Sequence, residues 1–281
     1  MLFFGISGFL IVGLIVGTSS TIARQRYNDS VQDLAEFFRR EFAATINTEN
    51  SRLDAVDGKI CLNADGSSSV GGTSEDTEGA YRGRSGCLIY GRLIVIGEMV
   101  EDDDDTSIRS YDVIGRELSD YSQLTTVGLR DSLKLAGISV LVRSNPNDPS
   151  ASACAFNPVG QYKYSPQWLS RAENIDNSDV KRASILIVRS PANGAVHTLI
   201  LDRALQVQAA INTPCTSGVA SALLSEEVID EFAAADIDVC VGSDDIFALS
   251  GRRRNVRILR GGHNSSAVQI MEQDSEANLC Q

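Results

Sequence analysis

Histidines, cysteines, a run of acids and a cluster of arginines are the side chains here with chemistry to offer, and their spacing decides how much. His197 and His263 are the only histidines of the 281 residues. Neither belongs to an H-E-x-x-H zinc helix, and the chain has no G-x-S-x-G elbow and no G-x-x-x-x-G-K-[ST] phosphate loop. His197 lies in Ala195–Asp202, where alternation puts it on the same strand face as Leu199 and Leu201, so a satisfied, partly buried imidazole is expected. His263 sits in the turn Gly261-Gly262-His263-Asn264. The acids Glu101-Asp102-Asp103-Asp104-Asp105 lack the spaced D-x-[DN]-x-[DN]-G geometry of a calcium loop, and adjacent side chains on an extended loop diverge, so a solvated loop is expected. The six cysteines, Cys61, Cys87, Cys154, Cys215, Cys240 and Cys280, form no C-x-x-C pair, and two histidines are too few to complete zinc sites with them. The expectation is a protein that is not an enzyme, with no catalytic residue, no metal ligand, no cofactor and no small-molecule substrate.

The arginines are different. Gly251–Arg260 holds five of them, Arg252, Arg253, Arg254, Arg257 and Arg260, in a chain of net charge −12. Such an acid balance argues against a surface that binds nucleic acid as a whole, so any such binding needs a local basic island. Guanidinium forks fit phosphate oxygens bidentately, and each neutralised phosphate releases counterions. On a strand, Val256 and Ile258 would face the core, leaving Arg253, Asn255 and Arg257 outside. DNA contacts would then come from Arg252, Arg253, Arg254 and Arg257. The competing reading is a charged hairpin balanced by Asp244, Asp245 and Glu272.

These residues need elements to position them, and the elements divide sharply. Met1–Gly17 carries no charge; ~17 helical residues reach ~25 Å, near the lower limit for crossing a bilayer. A cleavable secretory signal fits poorly, with no basic n-region and no small-x-small site before Arg24. An apolar stripe then continues through Ile22, Tyr27, Val31, Leu34, Phe38, Phe42 and Ile46, on a helix otherwise bearing Arg24, Arg26, Asp29, Asp33, Glu36, Arg39, Arg40 and Glu41. No proline or glycine interrupts residues 18 to 57, so one helix of roughly 50 residues, ~75 Å long, is expected. Gly13 and Gly17 make a G-x-x-x-G step, joined by Gly5 and Gly8, which lets helices approach closely in apolar surroundings.

Beyond Asp57 the pattern becomes short strands. These are expected at Lys59–Asn63, Cys87–Ile96, Tyr111–Ile114, Ser139–Arg143, Ala183–Arg189, Ala195–Asp202, Asp236–Val241, Asn255–Leu259 and Ala267–Met271. Pro191-Ala192-Asn193-Gly194 signals a hairpin. Short helices are expected at Gly128–Leu135, Pro166–Glu173 and Val219–Ala234. The fold class is α+β, a long N-terminal helix packed on a mainly antiparallel sheet. Residues 1–52 form the helix, with 1–20 its membrane or filament-core segment, and 53–281 form a disulfide-bonded, β-rich head. Scattered cysteines behind an apolar anchor read as disulfides in an oxidising space. Counting only Arg24 and Arg26 would leave the head in the cytoplasm; the cysteines place it outside.

An apolar helix running unbroken into an amphipathic half, then a cysteine-bearing β-rich head, resembles the type IV pilins and pseudopilins. The closest likeness is Met1-Leu2-Phe3-Phe4-Gly5-Ile6-Ser7-Gly8 through Gly17-Thr18-Ser19-Ser20, then Gln25-Arg26-Tyr27-Asn28-Asp29-Ser30-Val31. It looks like the prepilin-type subunits of very small, host-attached bacteria, in which a cysteine, a Gly/Ser loop and a Gly-Cys-hydrophobic-Gly-Arg strand follow. Here those are Cys61, Gly66–Gly72 and Gly86-Cys87-Leu88-Ile89-Tyr90-Gly91-Arg92. The likeness covers residues 1–100; the remainder is a generic pilin-like head. It implies a structural subunit, a minor or accessory pilin given the large head, partnered by other pilin subunits. It also implies anchoring in the membrane before assembly and display in a cell-surface pilus. Cys61 is expected to pair with Cys87; Cys154–Cys215 and Cys240–Cys280 are weaker expectations. Gly251, Arg252 and Arg254 match the Gly-Arg-x-Arg loop of DNA-binding minor pilins. The alternative is therefore a surface or tip protein that captures DNA or a host-cell surface through this segment. Prepilins also carry a basic leader, a glycine before the cleaved bond and a glutamate at the fifth mature position. The fifth residue here is Gly5, and aligning the helices places Met1 several residues inside the mature N-terminus.

Overall fold

The longest unbroken helical pattern forms the longest element. A computed structural model describes residues 2–46, 87–98, 107–116, 127–143, 162–168, 170–175, 179–207, 219–224, 226–243 and 254–272. In it, helix α1 spans Leu2–Ile46, 45 residues, or about 68 Å at ~1.5 Å per residue. Its buried residues follow one stripe in steps of three or four: Ala23, Tyr27, Ser30, Val31, Leu34, Ala35, Phe37, Phe38, Glu41, Phe42 and Thr45. Two expectations are corrected here. Ile22 is exposed and Ala23 takes its place, because at ~100° per residue Ile22 lies ~140° around the helix from Tyr27 and Ala23 only ~40°. Glu41, expected on the charged face, is buried within the stripe, one turn beyond Phe37 and Phe38.

Among the described residues eleven strands make two sheets, and every pairing between them is antiparallel. The larger contains β1 (Cys87–Ile96), β2 (Ile108–Arg116), β3 (Ser139–Arg143), β4 (Tyr162–Tyr164), β6 (Ala183–Arg189), β7 (Val196–Leu201) and β8 (Val219–Leu223). Its order is β7-β6-β1-β2-β3-β8, with β4 on the first half of β2. The smaller runs β11-β10-β9-β5, from β5 (Ser170–Glu173), β9 (Ile237–Ser243), β10 (Arg254–Ile258) and β11 (Val268–Glu272). Gly91 allows the closest backbone approach: a Cβ there would lie 2.0 Å from the Ile187 carbonyl oxygen, and the register of β1 shifts beside it, between Ile89 and Gly91. The expected hairpin joins β6 to β7, with Ser190 N–H donating to Ala195 O at 2.8 Å and Gly194 at φ +71°.

The larger sheet is covered on both faces. Alternation sends Ile94, Ile96, Ile108, Ile185, Ile187 and Ile200 toward α1, where they join Val239, Val241, Val256, Ile258 and Val268 of the smaller sheet in one core. The opposite face carries Leu93, Val95, Tyr111, Val113, Leu186, Val188 and Leu199. These pack beneath α2 (Leu129–Ala136), α3 (Glu226–Glu231) and Leu205. Arg130 donates to the Phe232 carbonyl, and Lys134 pairs with Asp230 at 2.7 Å, tying α2 to α3. The layout is therefore α+β, with α1 laid against antiparallel sheets.

Two expected helices are overturned. Pro166–Glu173 ends in strand β5, which pairs with β9 from Ser170↔Ser243 to Glu173↔Cys240. Val219–Ala234 opens with strand β8, paired along β3, and only Glu226–Glu231 is helical. The expected strand Lys59–Asn63, the boundary between 52 and 53, the acidic run 101–105 and Cys61, Cys154, Cys215 and Cys280 lie outside the described residues.

Candidate functional site

Helix α1 is one element with two surroundings, and the contrast between them is the principal feature of the molecule. From Ala23 onward its stripe is sealed by both sheets. Tyr27 reaches across: its hydroxyl accepts from the Arg254 N–H at 2.8 Å and lies 3.2 Å from the Val241 carbonyl. Phe37 stacks on Tyr164 with ring centroids 4.9 Å apart. Arg39 donates to Val268 O at 3.3 Å, and Arg189 donates to Ile46 O at 2.6 Å, satisfying a carbonyl that the helix end leaves open. Phe9, Leu10, Ile11, Val12, Leu14, Ile15 and Val16, by contrast, are 52–81% exposed.

The polar residues that follow do not break this apolar surface. Thr18 Oγ1 donates to Leu14 O at 2.9 Å, Ser19 Oγ to Ile15 O at 2.8 Å and Thr21 Oγ1 to Gly17 O at 3.0 Å. Each hydroxyl spends its proton on its own helix, the arrangement apolar surroundings require. Beyond the neighbouring turns of α1 itself, no described heavy atom lies within 4 Å of a Cβ added at Gly8, Gly13 or Gly17. Gly5 lies in the same helix. At these three glycines the helix meets no other described part of the chain. By length and composition, α1 is apolar enough to cross a membrane.

Charge is buried where α1 meets the larger sheet. Glu41, 2% exposed, accepts from Ser110 Oγ at 2.6 Å, and Arg92 Nε lies 3.8 Å away. Arg92 also pairs with Asp112. Burial pushes the Glu41 carboxyl above its ordinary value, while Ser110, Arg92 and Arg40 pull it back and Asp112 adds to the rise. On the far face the Tyr111 hydroxyl donates to buried Glu98, and burial with that neighbouring carboxylate raises the phenol strongly. The helical phase alone would have found Glu41, which sits four residues before buried Thr45. Arg92 and Asp112 show themselves only once β1 and β2 pair, where they stand opposite each other in register.

The arginine segment is partly neutralised by its own sheet. Val256 and Ile258 are buried in the core. Arg257 grips Asp238 with two bonds, Nε to Oδ1 and Nη2 to Oδ2, both 2.8 Å, and this raises its pKa. Asn255 donates to the same Asp238 at 2.6 Å, and the Arg260 N–H donates to Asp236 at 2.8 Å. Asp238 of β9 is thus one acid that balances this segment. Arg254 is half-buried, with its N–H on Tyr27. Arg252, Arg253, Asp244 and Asp245 lie outside the described residues.

The two histidines, 66 positions apart in sequence, meet where β7 faces the Gly261–Asn264 turn, with ring centroids 5.9 Å apart. His263 Nδ1 lies 2.6 Å from Val196 O, and Thr198 Oγ1 donates to Gly262 O at 3.1 Å. Burial, then the neighbouring His263, lowers the His197 pKa. Cys240, buried on β9, is disulfide-bonded, and its partner is not among the described side chains. Among the described residues there is no group of three or more His, Cys, Asp or Glu that could hold a metal. No protein-family model, curated protein or solved structure matches this chain.

Proposed function

We propose that the chain is a structural subunit of a type IV pilus-like filament, a minor or accessory pilin, held in the membrane by the first half of α1 until that half packs against other subunits. One observation carries this reading: a continuous helix seals its second half into a head and leaves seven consecutive-turn apolar side chains of its first half uncovered. An apolar surface of this kind needs lipid or protein around it. The glycines at 13 and 17 and the self-satisfied hydroxyls at 18, 19 and 21 suit close helix packing in apolar surroundings. The disulfide at Cys240 supports a head on the extracytoplasmic side.

The test is photo-crosslinking in membranes from a photoreactive residue placed at Val12. A ladder of multimers joined through α1 is the expected result. Crosslinks to lipid alone, at any expression level, would leave an anchored monomer and remove the filament reading.

A further inference from the structure

Where α1 leaves its uncovered half and enters the head, the turn carrying Gln167 and Trp168 comes to lie beside it. Trp168 is the only tryptophan of the chain, and it is 49% exposed. It holds φ +59°, the one non-glycine residue at positive φ among those described. For a bulky residue that left-handed conformation is strained and persists only where surrounding structure holds it. Two contacts hold it here. Arg26 lies over the indole with Cζ 4.7 Å from the ring centroid, a cation–π geometry. One turn further on, Ser30 Oγ donates to Gln167 O at 3.0 Å. The strain does not bury the ring; it presents the ring outward.

The position along α1 says what the ring faces. Ile22 is the last exposed large apolar residue of α1 and Arg24 its first charge, so a hydrocarbon layer around the first half of the helix ends at about this level. Arg26 stands four residues, ~6 Å, past Ile22, which is the depth of the polar headgroup zone beyond the hydrocarbon. Exposed Arg24 and Arg26 sit at that level, suited to lipid phosphates. Tryptophan and arginine are the residues that favour this layer, the ring for its apolar body with one N–H donor and the guanidinium for its long stem. We infer that Trp168, with Arg26, is a membrane-interface anchor that docks the head on phospholipid headgroups and fixes its depth and tilt before assembly. This rests on the membrane reading of α1, with which the anchor is continuous.

The sole tryptophan makes the test direct. The full chain is reconstituted into phosphatidylcholine–phosphatidylglycerol vesicles, floated on a gradient, and its fluorescence read with lipids brominated either near the glycerol or near the chain end. Flotation with quenching about twofold stronger from the shallow bromines is expected, as for a headgroup-level indole. Flotation without lipid quenching, or with stronger quenching from the deep bromines, overturns the anchor and leaves the membrane reading standing. A ring shielded from acrylamide yet untouched by brominated lipid sits against another copy of the chain, and the anchor likewise fails. A chain that does not float overturns both readings.

Discussion

Glu41 sits in a helix–sheet seam where its charge is disfavoured, and the direction of its shift fixes how stability responds to pH. A carboxyl whose folded pKa lies above the ordinary value of 4.5 contributes stability below that value and loses it as pH rises through the folded pKa. Near neutral pH the ionised group is therefore a net cost, and Glu41→Gln, which still accepts from Ser110, is expected to raise stability by about 1 kcal/mol. Urea unfolding in detergent at neutral and acid pH checks this: the gain should shrink in acid, and a loss at neutral pH would mean the Arg92 pair outweighs burial. His197 works in the other sense. Its folded pKa is lowered, so its contribution is present above the ordinary 6.5 and is lost as pH falls through the folded value. His197→Asn should remove that fall between pH 7 and 5, roughly the range over which an imidazole titrates, in thermal melts. The bidentate Arg257–Asp238 pair makes a third expectation. Arg257→Ala should cost roughly 1–3 kcal/mol by stranding Asp238, and any DNA affinity measured at low salt should depend on Arg252 and Arg253 rather than on Arg257.

Helix α1 is docked by a stripe of aromatic and aliphatic side chains, and its middle is the most sensitive point. Phe38 is fully buried in the core shared by both sheets, so Phe38→Ala should destabilise by about 3–5 kcal/mol, whereas Val12→Ala should leave the unfolding midpoint in detergent unchanged. Legibility in the sequence followed the same division. Strands β1, β3 and β6 have the boundaries their apolar runs suggest, and β1 and β6 are covered on both faces, which needs runs of Val, Ile and Leu. Strand β5 reads Ser-Arg-Ala-Glu and β8 reads Val-Ala-Ser-Ala-Leu, sequences with good helix formers and no period of two. Pairing with β9 and β3 makes them strands, and no local signal reports a partner tens of residues away. The same limit hid the seam around Glu41. Its place in the stripe was written in the helical period, but its partners Arg92 and Ser110 come from strands whose register only the folded sheet sets. The arginine segment was legible as a strand with its apolar residues inward; its pairing with Asp238 was not.

At the scale of the whole molecule, solubility and folding belong to different stretches of chain. A fragment beginning at Ala23 keeps every residue of α1 described as buried and discards the exposed apolar run Phe9–Val16, so it is expected to purify without detergent as a folded monomer, while the full chain is expected to need detergent or copies of itself. Size-exclusion chromatography with light scattering distinguishes these outcomes, and a detergent-free monomer from the full chain would contradict them. One last property follows from α1 being unbroken through Thr18–Ile22, between its uncovered part and the part fixed in the head. A rigid screw joins the two, so they are geared: no rotation of one is free of the other. Adding one alanine after Thr21 would turn the head by ~100° about the axis and lift it by ~1.5 Å, throwing Trp168 off its bearing, whereas four alanines would return it to within ~40° at ~6 Å greater height. The connector thus works as a phase setting, and in the filament proposed above the azimuth of each head would be decided by residue count.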